Sequence, residues 1–220
     1  KIGDDAFTHI LTYIKDNYKR PEGLTEKQVA LELEFYMRSH GASALSFDVI
    51  AASGLNSASP HAMPSDRVLC EGDFLTMDFG CVYEGYCSDM TRTIVIGKAS
   101  EKQIHIYNIV KHAALTALDN IKAGMTGKEA DKIARDIIEE AGYGSNFGHS
   151  LGHGIGLFIH ELPTLSKRDD TVLKPGMIVS VEPGIYIEGF GGVRIEDAVV
   201  IEENGIRNLT ESTKELIEIL

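Results

Sequence analysis

The chain has 220 residues, 43% hydrophobic and 25% charged, with a formal net charge of -12, a composition that fits a folded globular protein with one sizeable core. That acidity argues against a general nucleic-acid or anionic-membrane partner, because both need a basic surface. Three cysteines without CxxC spacing provide neither a disulfide framework nor a zinc knuckle, and no stretch reads as a secretory leader or membrane span, so a cytoplasmic location is expected.

The segment from Asp5 to Tyr18 places Phe7, Ile10, Leu11 and Ile14 at helical spacing directly after the start at Lys1, which suggests a fragment of a longer protein. Gly23 to Gly41 predicts a second helix. Thr25 with Gln28 forms a capping box, and Gly41 suits the left-handed position past the helix end. FLTMDFG (Phe74 to Gly80) then leads through Tyr83, Glu84 and Gly85 into YCSDMTRTIVIG (Tyr86 to Gly97), a hairpin pattern. Gly124 to Gly142 repeats the capped helix without a gap, with Thr126 and Glu129 as its box. Lys174 to Gly184 repeats the strand Glu71 to Gly80, matching Gly72 with Gly176, Asp78 with Glu182 and Gly80 with Gly184. The repeats predict one α/β (α+β) domain over residues 1–220 with mixed, largely antiparallel strands. Its halves, roughly 1–100 and 101–220, would be related by a pseudo-twofold axis.

A turn centred between Tyr83 and Glu84 would set Asp78 directly opposite Asp89, with Cβ atoms about 5 Å apart. Two carboxylates at that distance repel by roughly 3 kcal/mol at an effective dielectric near 20, so a cation or a shared proton is expected between them. Glu182 and Glu196 repeat the arrangement about Gly189. Any one of these acids alone reads as a solvated strand residue or a partner of Arg92 or Arg194; their paired symmetry favours metal. Oxygen donors with one imidazole suit Mn²⁺, Fe²⁺, Co²⁺ or Zn²⁺. FGHSLGHGIGLFIHELP (Phe147 to Pro163) supplies His149, His153 and His160, but its glycines argue against a helical HxxxH site and the HExxH glutamate is missing. His61 lies in a loop rich in Ser and Pro and on spacing alone reads as a surface or hydrogen-bonded residue rather than a catalytic one.

HAMPSDR (His61 to Arg67), MDFGCVYEGYCSDMTRT (Met77 to Thr93), GHGIGLFIHE (Gly152 to Glu161), VEPGIY (Val181 to Tyr186) and GGVRIED (Gly191 to Asp197) resemble the creatinase/methionine aminopeptidase-type metallopeptidases, family M24, and within it the Xaa-Pro branch. The resemblance implies a pita-bread fold and two divalent metal ions, Mn above Co, Zn or Fe. It implies Asp78, Asp89, His153, Glu182 and Glu196 as ligands, with Asp89 and Glu196 bridging. By the same likeness Glu182 is the general base, His61 and His160 orient substrate and stabilise the reacting carbonyl, His149 lines the pocket and Arg194 fixes the ligand network. The implied substrate is a peptide with proline second, and a homodimer is implied as well. Xaa-Pro members usually carry an N-terminal domain that this chain lacks, so metal binding is expected to survive while activity on short peptides falls. Methionine aminopeptidase is the nearest alternative, followed by a non-catalytic binding module of the same fold. A creatinase-like hydrolase fits less well because the five ligands are intact.

Overall fold

The computed structural model describes residues 1–220. Helix α1 (Ile2–Asn17) buries Ala6, Phe7, Ile10 and Ile14, the residues whose spacing predicted it, and begins three residues before the expected start. Helix α2 (Glu26–Ser39) opens on the predicted box, in which the Thr25 hydroxyl accepts from the Gln28 amide (3.3 Å) and Gln28 Oε1 accepts from the Thr25 amide (2.8 Å). The strands β1 (Ala44–Leu45), β2 (Ile50–Ser53), β3 (Phe74–Phe79), β4 (Cys81–Tyr83), β5 (Tyr86–Cys87) and β6 (Met90–Ile96) complete the first half.

The second half runs through α3 (Glu101–Asn120) and α4 (Gly127–Glu140), the latter capped by Thr126 and Glu129 as predicted. It continues with β7 (Gly152–Gly154), β8 (Glu161–Leu165), β9 (Ile178–Val181), β10 (Gly184–Ile187), β11 (Gly191–Arg194), β12 (Asp197–Glu202) and β13 (Gly205–Asn208). The short β14 (Glu218–Ile219) returns to the first half, parallel to β6. No helix is long and apolar enough to cross a membrane.

Two sheets form the frame, β14-β6-β3-β2 and β13-β12-β9-β7-β8. The triplets β6-β3-β2 and β12-β9-β7 hold matching places in them. Helices α1 and α2 cover the first sheet through Phe7, Ile10, Leu33 and Met37 against Leu75, Met77 and Ile94. Helices α3 and α4 cover the second through Val110, Ala114, Ala134 and Ile138 against Val179 and Val199. The duplication extends to single hydrogen bonds. Leu69 N donates to Leu24 O as Leu173 N does to Met125 O, at 2.8 and 2.7 Å; Gly72 N donates to Ile96 O as Gly176 N does to Ile201 O, at 2.7 and 2.9 Å.

The hairpins differ in how well their registers were anticipated. Gly184 pairs with Arg194 and Val181 with Asp197, so Glu182 and Glu196 face each other about Gly189 as predicted. In the first hairpin Asp78 pairs with Thr91 rather than Asp89. The turn falls on Glu84 and Gly85, both at positive φ (50° and 86°), the pattern of a two-residue hairpin turn. This moves the pairing by two residues and leaves Asp89 in the break between β5 and β6, from which it still reaches the same cavity as Asp78.

The halves meet where Thr91 bridges Glu196. Beside that bridge Arg92, 1% exposed, donates to the carbonyls of Glu196 (2.6 Å), Thr91 (2.9 Å), Ser212 (2.6 Å) and Thr213 (2.8 Å) and to Asp197 Oδ1 (2.7 Å). Removing Arg92 takes the donor from four carbonyls and from one oxygen of buried Asp197, whose other oxygen keeps Lys214 Nζ (2.5 Å). Arg92→Met is therefore expected to lower the unfolding free energy by about 3–5 kcal/mol in urea titration, and a change below about 1 kcal/mol would contradict this account of the seam.

Candidate metal centre

The strand pattern positions the site. Asp78 stands near the end of β3 and His153 in the middle of β7, while Glu182 follows β9 and Glu196 lies between β11 and β12, with Arg194 closing β11. These five, together with Asp89, His61, His149 and His160, line one cavity of about 630 Å³. His61 and His160 are exposed at its mouth, whereas Asp89 and Glu196 are buried.

Asp89, His153 and Glu196 each offer a donor atom, all within 4.8 Å of one another. His153 Nε2 lies 3.6 Å from Asp89 Oδ2 and 3.4 Å from Glu182 Oε1. Its Nδ1 is 3.1 Å from the Gly154 carbonyl, a contact that places the proton there and turns the Nε2 lone pair toward the acids. Thr91 Oγ1 donates to Glu196 Oε2 (2.6 Å) and Ser180 Oγ to Glu182 Oε1 (3.1 Å). Arg194 Nη2 donates to Asp78 Oδ2 (2.5 Å), Nε to Thr91 Oγ1 (3.1 Å) and Nη1 to Tyr186 OH (2.6 Å).

Burial dominates the electrostatics. It raises Asp89 and Glu196 well above the carboxylate range, and neighbouring acids add to this: Glu196, Asp78 and Glu182 act on Asp89, and Glu182 and Asp78 on Glu196. Burial, with Asp78, pushes Glu182 up to about 8 against the opposing pull of Arg194. His149 is lowered to about 4 by burial and then by Arg194. Its Nδ1 lies 2.8 Å from the Ser150 carbonyl and its Nε2 2.9 Å from Tyr186 OH. His149 is thus a neutral ring that donates to Ser150 and accepts from Tyr186, leaving only its apolar faces for a substrate.

Four carboxylates therefore surround a single guanidinium, and Asp78 Oδ1 is buried with no hydrogen-bond partner. An orphaned buried acceptor among mutually repelling acids fits a divalent cation, which would satisfy the oxygen and cancel the repulsion. Tyr186, Thr91 and Ser180 were not anticipated as site residues. A period-two pattern could have found them, because Ser180 and Tyr186 alternate with Glu182 along one chain and Thr91 with Asp89 along another.

Fold and cavity together define a duplicated α/β protein with a carboxylate-rich candidate site for divalent metal. Residues 1–203 match metallopeptidase family M24. The chain is 53% identical over 196 residues to the Xaa-Pro dipeptidase of Pyrococcus furiosus, covering 89% of this chain and 56% of that one. It superposes on an Xaa-Pro dipeptidase from Bacillus anthracis with TM-score 0.94 at 57% identity, covering 99% and 59% of the two chains. An X-Pro aminopeptidase from Thermotoga maritima MSB8 gives TM-score 0.93 at 45% identity, covering 99% and 60%. The chain belongs to metallopeptidase family M24 and has its pita-bread fold. It spans less than two thirds of the length of these relatives.

The raised carboxylates give the metal-free protein a distinctive pH dependence. Between the ordinary value of 4.5 and about 8, Glu182 keeps a proton in the folded chain that the unfolded chain has released. Stability is therefore lost as pH rises through that window, with a limiting slope of about 1.4 kcal/mol per pH unit for one group. Urea midpoints measured in chelator should fall from about pH 6.5 to 8, above the range in which the lowered His149 adds stability as pH rises, and saturating Mn²⁺ should flatten the trend because metal replaces the protons. Chelated midpoints that rise across the window would contradict this reading of the acids.

Proposed function

We propose that residues 1–220 form the catalytic domain of an Xaa-Pro peptidase that hydrolyses the bond between an N-terminal residue and a following proline. Two divalent cations would be held by Asp78, Asp89, His153, Glu182 and Glu196. The convergence of these acids and one imidazole in a single cavity carries the reading. The names of the relatives from Pyrococcus furiosus, Bacillus anthracis and Thermotoga maritima support the choice of proline. A mostly oxygen donor set with one imidazole favours Mn²⁺, with Co²⁺, Zn²⁺ and Fe²⁺ as substitutes. The reading includes a homodimer in the cytoplasm; three free cysteines suit a reducing compartment.

Divalent cations, when bound, supply Lewis acidity to the attacking water and to the scissile carbonyl. The protein's own part begins with Glu182, whose carboxylate takes the proton of the attacking water and returns it to the leaving proline nitrogen. His61 and His160, on separate loops at the mouth, orient the peptide and donate toward the oxygen that gains charge. Arg194 holds Asp78 and Tyr186 in place, and Tyr186 in turn holds His149. These contacts restrict the acids to a small set of rotamers before substrate arrives.

A substrate panel tests this directly. The Mn²⁺-loaded chain should cleave Ala-Pro peptides faster than Met-Ala peptides, and Glu182→Gln should lower kcat by about 10²–10⁴-fold. Preference for Met-Ala would instead favour a methionine aminopeptidase. A folded chain that takes up no divalent cation would favour a binding module.

A further inference from the structure

Two carboxylates outside the metal centre are tied to the loops that carry the mouth histidines. Glu26, fully buried, opens α2. Its Oε1 accepts from Ser53 N (2.6 Å) and Ser53 Oγ (2.8 Å), and its Oε2 from Asn56 Nδ2 (2.8 Å), Ser65 N (2.9 Å) and Ser65 Oγ (2.6 Å). All five donors are uncharged, so this group is no half of an ion pair. Ser53 and Ser65 are the two stems of the segment that bears His61. A single carboxylate therefore closes that loop at both ends.

The corresponding connection of the second half bears His160. The repeat aligns the two through Lys27 N on Ser65 O (3.1 Å) and Lys128 N on Asp169 O (2.8 Å), which puts Gly127 in the place of Glu26 and Asp169 in the place of Ser65. Gly127 has no side chain to offer, and a Cβ there would meet the Thr164 carbonyl at 2.1 Å. The carboxylate comes from the loop instead. Asp169 Oδ2 accepts from Thr164 N (2.7 Å) and Thr164 Oγ1 (2.8 Å), and Oδ1 from Thr171 N (2.8 Å). Hydrogen bonds from Thr171 and Thr164 hold Asp169 down to about 2, so it remains an acceptor at working pH. Both halves thus use a carboxylate, but Glu26 spans both stems of its loop from the helix, whereas Asp169 pins only the stem that follows His160, through Thr164.

We propose that Glu26 and Asp169 are positioning residues, Glu26 aiming His61 and Asp169 aiming His160 at the substrate; the catalytic part of this inference rests on the Xaa-Pro peptidase reading. Because His61 and His160 are exposed, their aim follows the path of the backbone that carries them. An amide at either clamp presents an NH₂ group where the loop already supplies donors, which loosens the loop without changing side-chain size.

Crossed double-mutant cycles on the Mn²⁺-loaded chain provide the test. Glu26→Gln should lower kcat on an Ala-Pro peptide about tenfold in the wild-type background and less than about twofold in His61→Ala, with its full effect retained in His160→Ala. Asp169→Asn should show the opposite dependence, losing its effect only in His160→Ala. Losses that multiply equally with both histidine variants would overturn the pairing, since a merely structural role has no such selectivity. Amide hydrogen exchange gives a readout independent of turnover. Glu26→Gln should accelerate exchange in residues 54–64, and Asp169→Asn in residues 155–163. Unchanged exchange in those segments, or equal acceleration throughout the chain, would overturn the clamps even if wild type proved inactive on Xaa-Pro peptides. Should Glu26→Gln fail to fold, Ser65→Ala removes one donor from the same carboxylate and should show the same selectivity at smaller size, as should Thr164→Val for Asp169.

Discussion

Asp78, Asp89, Glu182 and Glu196 are brought together largely out of solvent around one guanidinium, and folding must supply positive charge or protons to make that tolerable. Much of the surrounding structure follows from that constraint. Arg194 neutralises Asp78 on one side, Thr91 and Ser180 each supply a hydroxyl proton, and His153 turns an unprotonated nitrogen toward the acids. Burial raises three of the carboxylates, so protons balance the remainder in the metal-free chain. A divalent cation would perform the same service in the working protein.

Duplication explains how four acids can meet without any strand being rich in charge. Each half contributes one hairpin, and β3 and β9 hold equivalent places in sheets that are each backed by two helices. The halves are joined beside the site, where Thr91 bridges Glu196 and Arg92 gathers five acceptors from both halves and the C-terminal segment. Fold stability and site geometry therefore depend on the same few residues. The mouth loops depart from symmetry, with Glu26 holding both stems of its loop from α2 and Asp169 holding one stem from within the connection.

Much of this was legible in the residues. Helix caps at Thr25 and Thr126 and the hairpin about Gly189 depend on local chemistry, and all three were predicted correctly. The first hairpin was misplaced by two residues because Glu84 takes the left-handed conformation beside Gly85, a choice that sequence does not announce for a glutamate. His149 was placed on the pocket wall, but its neutral tautomer depends on Tyr186, which only the folded β10 brings near. Glu26 was not legible at all. In sequence it is an ordinary first-turn acid of a helix, and only the return of residues 53–65 across it turns it into a buried acceptor.

The measurement closest to the central claim is calorimetric titration of the metal-free chain with Mn²⁺, alongside Asp89→Asn. The account predicts about two cations per wild-type chain, with loss of the tight sites in the variant while both proteins keep the same far-UV circular dichroism. A folded wild-type chain that takes up no divalent cation, or a variant that binds as wild type does, would contradict it.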